Sequence, residues 1–282
     1  MSEAAARATD WSDMTPKKAR HAGGCLEQTR HKLDDVPRDV RELGGAWTRF
    51  QRHAFPAPSP DLAPYVEHYW MVSWNYEEPY RQLIVPYPNV HLTFHDGAAR
   101  VQGVCSGHQV RVLEGAGGVL GVRFRPGCFR PFLGAPVSSL TDRSVDAGEV
   151  FPGGVPEADD VPAVEDFLRA HLPEPDPRAG RAADIVATIS AEPEITRVGT
   201  LARLLGTGTR DLQRLFAEYV GIGPKWVIRR YRLHEVTERL AAGTPIDWAE
   251  LAAELGYADQ PHLARDFKDM FGESPTRYAE RY

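Results

Sequence analysis

Two short clusters of polar side chains near the carboxyl end of the chain have the chemistry needed to read base pairs in duplex DNA. They are Arg210, Gln213 and Arg214 in the first cluster, and Gln260, His262 and Arg265 in the second. Arginine can form a bidentate pair with guanine and glutamine with adenine, and each such pair is worth roughly 1–3 kcal/mol of discrimination between bases. The side chains therefore predict sequence recognition in the major groove of DNA rather than catalysis.

Each cluster lies in one copy of a pattern that the chain contains twice, over residues 201–233 and 251–282. Each copy has Leu-Ala, then Leu-Gly four residues later, then a Phe, and finally Gly-x-x-Pro. The apolar residues recur at helical spacing and the glycine follows the last of them, as at the end of a helix. Each copy therefore predicts a helix–turn–helix motif, whose second helix enters the major groove.

The duplication distinguishes this pattern from an ordinary helical core. A single copy is common in helical proteins, but here Gly221 and Gly272 are in register, and so are Pro224 and Pro275. The Leu and Phe positions form a core in either interpretation, so only the outward positions carry the functional prediction. A long helix beginning at Pro224 is expected to fix the spacing of the two units. The predicted DNA-binding residues are Thr209, Arg210, Gln213, Arg214, Lys225, Gln260, Pro261, His262, Arg265 and Lys268.

Charge is distributed unequally between the two copies. The chain as a whole has a formal net charge of −6, which argues against an indiscriminate polycation. Residues 203–232 contain seven basic and two acidic side chains, whereas residues 247–273 contain two basic and seven acidic ones. The first copy is therefore expected to supply most of the attraction to phosphates, and the second to add register, weaker base reading or a protein contact.

The last hundred residues resemble the DNA-binding domain of the AraC/XylS family of transcription regulators. The run LARLLGTGTRDLQRLF is similar to the first helix–turn–helix of that family, and LGYADQPHLARDFKDMFGESPTRY to its second, more stereotyped signature. The resemblance implies about seven helices, with two recognition helices on one face that bind adjacent major-groove segments. It also implies base contacts at both polar clusters named above.

Three positions depart from the family pattern. Gly208 stands where the family usually has Ser, so Thr207 or Thr209 is expected to cap the first recognition helix. Pro261 occupies a position where a polar residue is common; it is tolerated in a first helical turn but offers no hydrogen bond to a base. Val227 replaces a frequent Tyr. These departures bear on the target sequence rather than on DNA binding itself.

Residues 46–175 have the pattern of an antiparallel β domain. Short β-rich runs alternate with turn formers, including Pro88-Asn89, Asp96-Gly97 and the glycine-rich run 115–118, which predicts a barrel or sandwich. The runs YVEHYWMVSW and GVLGVRFRPGCFRPFLGAPVSSLTD resemble the amino-terminal part of a subgroup of the same regulators. That resemblance implies a cupin-like barrel that binds an effector or a second subunit. The predicted fold class is α+β, with this β-barrel followed by an all-α domain.

Several side chains of the β domain are candidates for ligand binding. The effector-binding candidates are Trp70, Trp74, Tyr87, His91, Arg123 and Arg125, although the aromatic residues also suit a core and the arginines also suit local ion pairs. His91, His95 and His108 offer three imidazoles to a metal. No Glu completes a cupin-like spacing around them, so neither a metal nor another cofactor is predicted.

The remaining features bound the class of protein. Residues 1–45 resemble a disordered tail. The run PEPDP at residues 173–177 predicts a stiff spacer that ends the β domain near residue 175, which leaves residues 176–282 as the DNA-binding domain. No run of eighteen apolar residues and no signal-peptide pattern is present, which predicts a cytoplasmic protein. No nucleophile or phosphate-binding motif is found, so no enzymatic activity is predicted.

The sequence thus predicts a sequence-specific DNA-binding transcription regulator that is modulated through its amino-terminal domain. Its expected partners are double-stranded DNA, a small-molecule effector, RNA polymerase and a second copy of the chain. The alternative is a small-molecule or metal-binding barrel protein or enzyme whose helical domain is mainly a protein-interaction module.

Overall fold

The computed structural model describes residues 26–27, 38–243 and 245–282, and its amino-terminal half is built on one antiparallel sheet. The strands are β1 (Leu26–Glu27), β2 (Gln51–Ala54), β3 (Val66–Ile84), β4 (His91–His95), β5 (Ala98–Gln102), β6 (Gln109–Phe124) and β7 (Ser144–Asp146). Their order is β2-β3-β6-β4-β5-β7, and β1 also pairs with β6. Within the described ranges no strand pair joins β2 to β7, so the sheet is an open one. The antiparallel α+β class is confirmed, and the predicted closure into a barrel is absent here.

Two long strands replace the shorter ones that the sequence predicted. The β-rich run at residues 69–74 and the first half of the run at residues 82–87 belong to the single strand β3, which ends at Ile84. Strand β6 continues through the glycine-rich run 115–118 that was expected to turn. Gly117 faces Trp74 across the ladder, and Gly121 faces Trp70. A Cβ at either glycine would overlap the indole ring opposite. The prediction of a turn was wrong because the run continues as a strand, in which Gly117 accommodates an aromatic ring instead of reversing the chain.

One face of the sheet carries the larger hydrophobic core of this half, which we call the sheet domain. A smaller cluster contains Trp74, Tyr76 and Tyr80. Tyr69, Leu92, Val122 and Phe124 are fully buried in the larger core, and Leu168 of a covering helix packs against them. That helix, α2 (Val161–Ala170), begins at Asp160, whose side chain accepts from the backbone N–H of residue 163. The other helical segments of the domain are α1 (Arg130–Leu133) and the 3₁₀ turns Val137–Leu140 and Ala147–Glu149.

The carboxyl-terminal half is helical. Its helices are α3 (Pro177–Ala191), α4 (Val198–Leu204), α5 (Thr209–Leu215) with a π-helical extension Phe216–Val220, α6 (Pro224–Ala241), α7 (Trp248–Glu254), α8 (Gln260–Phe271) and α9 (Pro275–Ala279). These are seven α-helices within the described residues, in agreement with the sequence-based expectation. The two motif glycines, Gly206 and Gly256, have φ values of 59° and 79°. This left-handed backbone conformation commonly ends a helix, and glycine adopts it without the steric strain that a Cβ would cause.

The helical half has two hydrophobic cores, one for each copy of the duplicated pattern. The first lies among α3, α4, α5 and the beginning of α6, and the second among the end of α6, α7 and α8. Trp226, on the first turn of α6, packs against both of these cores and also against the core of the sheet domain. Its indole Nε1–H donates to the carbonyl oxygen of Ser106 at 2.8 Å. One side chain thus joins the three cores.

The predicted tail over residues 1–45 is in part a folded segment. Most of it lies outside the described residues, but Leu26–Glu27 pairs with β6, and a 3₁₀ helix runs over Val40–Arg49. Arg38 forms ion pairs with Glu42 at 3.0 Å and with the buried Glu273 at 2.8 Å. The sequence did not predict this folded segment, because Glu273, which pairs with Arg38, lies far along the chain. None of the described helices combines the length and the apolar character needed to cross a membrane.

The contact between β5 and the 3₁₀ turn Val137–Leu140 leads to a prediction for stability. Gly103 lies so close to Leu140 that an added Cβ would overlap its backbone carbonyl, whereas a Cβ at Gly180, inside α3, would meet no atom within 4 Å. We expect Gly103→Ala to lower the free energy of unfolding by about 1–3 kcal/mol, as overpacking does. The matched control Gly180→Ala should raise it by about 0.5–1 kcal/mol. Urea unfolding of both variants checks this, and an unchanged midpoint for Gly103→Ala would contradict it.

Candidate DNA-binding surface

The first candidate reading helix, α5, has a sharp division between buried and exposed residues. Leu212 and Leu215 are 1% and 7% exposed and face the first core. The predicted DNA-binding residues on the same helix are all exposed, namely Thr209, Arg210, Gln213 and Arg214. The helix begins after Gly208 without a side-chain cap, so the cap expected from Thr207 or Thr209 is absent. Glycine at this position costs a helix only a few tenths of a kcal/mol relative to Ser.

The second candidate reading helix, α8, has the same division and a stronger start. Asp259 accepts a hydrogen bond from the backbone N–H of His262 at 2.7 Å, which caps the helix, and Pro261 lies in the first turn. Leu263 and Phe267 are fully buried in the second core. The outward residues Gln260, Pro261, His262 and Arg265 are exposed, and Lys268 is half-buried.

The positive charge of the first unit is smaller at the surface than the sequence suggested. Of its seven basic side chains, Arg230 and Arg232 are 1% exposed and are not available to phosphates. Arg229 pairs with Asp266 at 3.1 Å, and the exposed Arg214 pairs with Asp211. Surface pairs of this kind are worth about 0–1 kcal/mol, so Arg214 can exchange its partner for DNA at little cost.

The two buried arginines of α6 are structural residues that the sequence analysis had counted as surface charge. Arg232 donates to the backbone carbonyl of Ile189 and to Glu235, both at 2.5 Å and both within the helical half. Arg230 instead donates to the carbonyl of Pro86 in the sheet domain at 2.5 Å. Burial lowers the pKa of Arg230. Arg230 follows Trp226 by four residues, and residues at this spacing share one face of a helix. This spacing was the signal in the sequence that both side chains face the sheet domain.

The candidate effector residues of the sheet domain separate into groups. Trp70 donates through Nε1 to Nδ1 of His91 at 3.2 Å, and the ring of Trp74 lies 5.6 Å from that of His95 on the same face of the sheet. Burial, with smaller contributions from nearby positive charge, lowers the pKa of His91 to about 3. His91 is therefore neutral at physiological pH and uses Nδ1 as an acceptor.

Tyr87 and Arg123 line a cleft of about 350 Å³ between the sheet domain and α6. This cleft lies beside the Trp70–His91 pair, because Arg123 is the partner of His91 across the β4–β6 ladder. The Arg123 guanidinium is 4.3 Å from the centroid of the Tyr87 ring and donates to Asn89 at 2.9 Å. Arg125 is exposed and donates to the backbone carbonyl of Ala63, apart from both groups. The six candidates thus do not form one pocket.

The three histidines considered for a metal are held by other contacts. His95 lies 2.7 Å from the carbonyl oxygen of Gly118 through Nδ1, and His108 lies 3.4 Å from the carbonyl oxygen of Asp269 in α8. Across the part of the chain that the structure describes, no three His, Cys, Asp or Glu side chains converge as a metal site would require.

Each half of the chain matches a known domain family. Residues 201–281, which include both reading helices, match a family described as a helix-turn-helix domain. Residues 55–146 match a domain of unknown function, DUF6597. Over 81 residues the chain is 33% identical to the HTH-type transcriptional regulator GlxA of Rhizobium meliloti (strain 1021). Residues 201–281 are thus a helix-turn-helix domain of the AraC type.

The proteins similar to this chain cover it unevenly. The GlxA match spans 29% of this chain and 25% of that protein. The C-terminal domain of AraT, a response regulator from Geobacillus stearothermophilus, is 22% identical with a TM-score of 0.33, covering 38% of this chain and 87% of its own. ToxT from Vibrio cholerae is 8% identical with a TM-score of 0.38, covering 82% of this chain and 98% of its own.

The neutral state of the half-buried His91 leads to a pH prediction. Its pKa is about 3 in the folded protein against 6.5 ordinarily, so the unfolded state binds more protons between those pH values. Stability therefore falls as the pH drops from about 6.5 towards 3. Between pH 7 and pH 5, His91→Asn should lose less unfolding free energy than the wild type, by up to about 2 kcal/mol. The other histidines are common to both proteins, and equal losses in urea titrations would refute this assignment.

Proposed function

We propose that the chain is a sequence-specific DNA-binding transcription regulator that inserts α5 and α8 into adjacent major-groove segments. The observation that carries this proposal is the matched division of the two helices. In each, the apolar positions are buried, and the polar positions with base-reading chemistry are exposed. The helix-turn-helix family match spans both helices. The proposal assigns the chain a cytoplasmic location and no catalytic activity.

The two units have different roles in this proposal. In the first unit Arg210, Gln213 and Arg214 read bases, and the exposed Lys225 at the start of α6 contacts a phosphate. In the second unit Gln260, His262 and Arg265 read bases, and Lys268 lies towards the DNA backbone. Pro261 and Thr209 contact DNA without forming a bidentate pair with a base. Since Arg230 and Arg232 are buried, electrostatic attraction depends on fewer charges than the sequence contains.

The sheet domain supplies regulation in this proposal. An effector or a second copy of the chain would bind it and bias its relation to the helical half, and so the affinity for DNA. The interdomain cleft beside Tyr87 and Arg123 suits this role better than the Trp70–His91 face, because its walls come from both halves. We keep Trp74 and Arg125 as lesser candidates because they lie away from that cleft.

A second candidate function is a protein contact by the second unit, for example with RNA polymerase. The exposed residues Glu250, Glu254 and Asp259 around α7 and α8 favour it, since they repel phosphates. Under this alternative α8 would add little to DNA affinity.

Variants of the two reading helices test the proposal. Sequences that the wild-type chain binds would be selected from a random DNA pool, and the affinities of Arg214→Ala and Arg265→Ala measured on the selected duplex. Each should weaken binding by roughly 1–3 kcal/mol and relax the preference at one base position. Arg81→Ala, an exposed arginine of the sheet domain, is the matched control and should bind as the wild type does.

The outcomes separate the two candidate functions. If the wild type enriches no sequence, the DNA-binding proposal is wrong. If Arg214→Ala loses affinity while Arg265→Ala keeps both affinity and base preference, the second unit serves another partner.

The proposed phosphate contact makes a separate prediction. Lys225→Ala should weaken binding by a similar factor on every sequence, because it removes a charge and no base contact. The slope of log affinity against log salt concentration should become shallower by about 0.9. An unchanged slope in titrations from low to moderate salt would rule out this contact.

A further inference from the structure

Three side chains on one face of α6 lie against the sheet domain at four-residue spacing. Trp226 donates to the carbonyl of Ser106 at 2.8 Å, and Arg230 donates to the carbonyl of Pro86 at 2.5 Å. The ring of His234 lies 6.1 Å from that of Tyr87. Residues four apart on a helix share a face, so these three form one continuous strip, which we call the coupling strip.

Arg230 is the side chain of the coupling strip whose burial costs the most free energy, because it is a cation. It is 1% exposed, and none of the described carboxylates lies within ion-pair distance of it. Its guanidinium instead lies 4.0 Å from the centroid of the Tyr87 ring and 5.3 Å from that of Phe271. Burying a cation without an anion is unfavourable unless other groups stabilise it, and two aromatic faces and a carbonyl do so here.

The partners of Arg230 come from three parts of the molecule. Tyr87 and Pro86 belong to the sheet domain, Arg230 to α6, and Phe271 is the last residue of the reading helix α8. Val85, next to Pro86, packs against the second hydrophobic core. The second reading helix is therefore held directly against the sheet domain as well as through α6.

The first unit is attached to the same sheet domain. Arg130 forms an ion pair with Glu218 at 2.7 Å, and Thr141 donates to the carbonyl of Gly221 at 2.5 Å. Both units thus contact the sheet domain by separate surfaces. A movement of either unit relative to the sheet domain must break the contacts at its own surface.

We infer that the sheet domain fixes the distance and the rotation between α5 and α8 through the coupling strip, so that Arg230 and Tyr87 are positioning residues for two-segment recognition. This inference rests on the proposed DNA-binding function. The alternative is that α6, a single continuous helix of 18 residues, sets the spacing alone. One base pair inserted between two DNA segments rotates one against the other by about 34°, given about 10.5 base pairs per turn. Rigidly held helices cannot follow that rotation.

The test uses the full-length chain and the duplex that the wild type selects from a random pool. Companion duplexes carry one or two base pairs inserted between the two DNA segments that α5 and α8 contact. Arg230→Met keeps side-chain length and removes the hydrogen bond to Pro86 and the cation–π contact with Tyr87. Tyr87→Leu removes the ring from the opposite side of the contact. Arg232→Met is the matched control, because Arg232 is equally buried on the same helix but binds only within the helical half. Thermal melts establish that each variant is folded.

The wild type should lose affinity by about tenfold or more on insertion of one base pair, since the contacts of one unit are lost. Arg230→Met and Tyr87→Leu should each reduce that loss to about threefold or less, and the double variant should resemble the single ones because both break one contact. Arg232→Met should keep the wild-type spacing dependence even if it melts earlier.

Two results would overturn the inference. One is a wild-type spacing dependence in both Arg230→Met and Tyr87→Leu, which would mean that α6 sets the spacing alone. The other is an equal change in Arg232→Met, which would mean that general loosening of the helical half is responsible. If the wild type selects no duplex at all, it is the proposed function that fails instead.

Discussion

The packing of Trp226 against three hydrophobic cores is the constraint on which the rest of the structure depends. The sheet domain and the two helical units each have a core of their own, and the cores meet at the first turn of α6. An aromatic side chain at such a junction contributes buried area to all three bodies at once. The relation between the two reading helices, and between each of them and the sheet domain, is therefore set by α6 and the residues along its inner face.

The helical half could be predicted from the sequence because its signals are local. Helical periodicity, the helix-ending glycines Gly206 and Gly256 and the duplicated order of the motif each depend on residues within one turn or two of each other. The exposed positions of α5 and α8 followed from the same periodicity. Capping was predicted less well: the first reading helix begins at Gly208 without a side-chain cap, whereas Asp259 caps the second.

The sheet domain and the interdomain contacts could not be predicted because their signals are not local. A glycine that receives an indole ring from the neighbouring strand, as Gly117 does, has the same sequence appearance as a glycine in a turn. Likewise Arg230 and Arg232 look like surface charges until their distant partners, a carbonyl in each case, are known. The role of Arg38 depends on Glu273, more than two hundred residues away. Such pairings become visible only when the chain is folded.

The central claim is that two helices of one chain read two adjacent segments of a duplex. Methylation interference on the duplex that the chain selects measures this most directly, because methylation at N7 of guanine blocks the major-groove edge that arginine contacts. The account predicts two groups of interfering guanines, on one face of the duplex and centred about one helical turn, or about 10.5 base pairs, apart. A single group of interfering guanines, or binding that is indifferent to methylation, would contradict it.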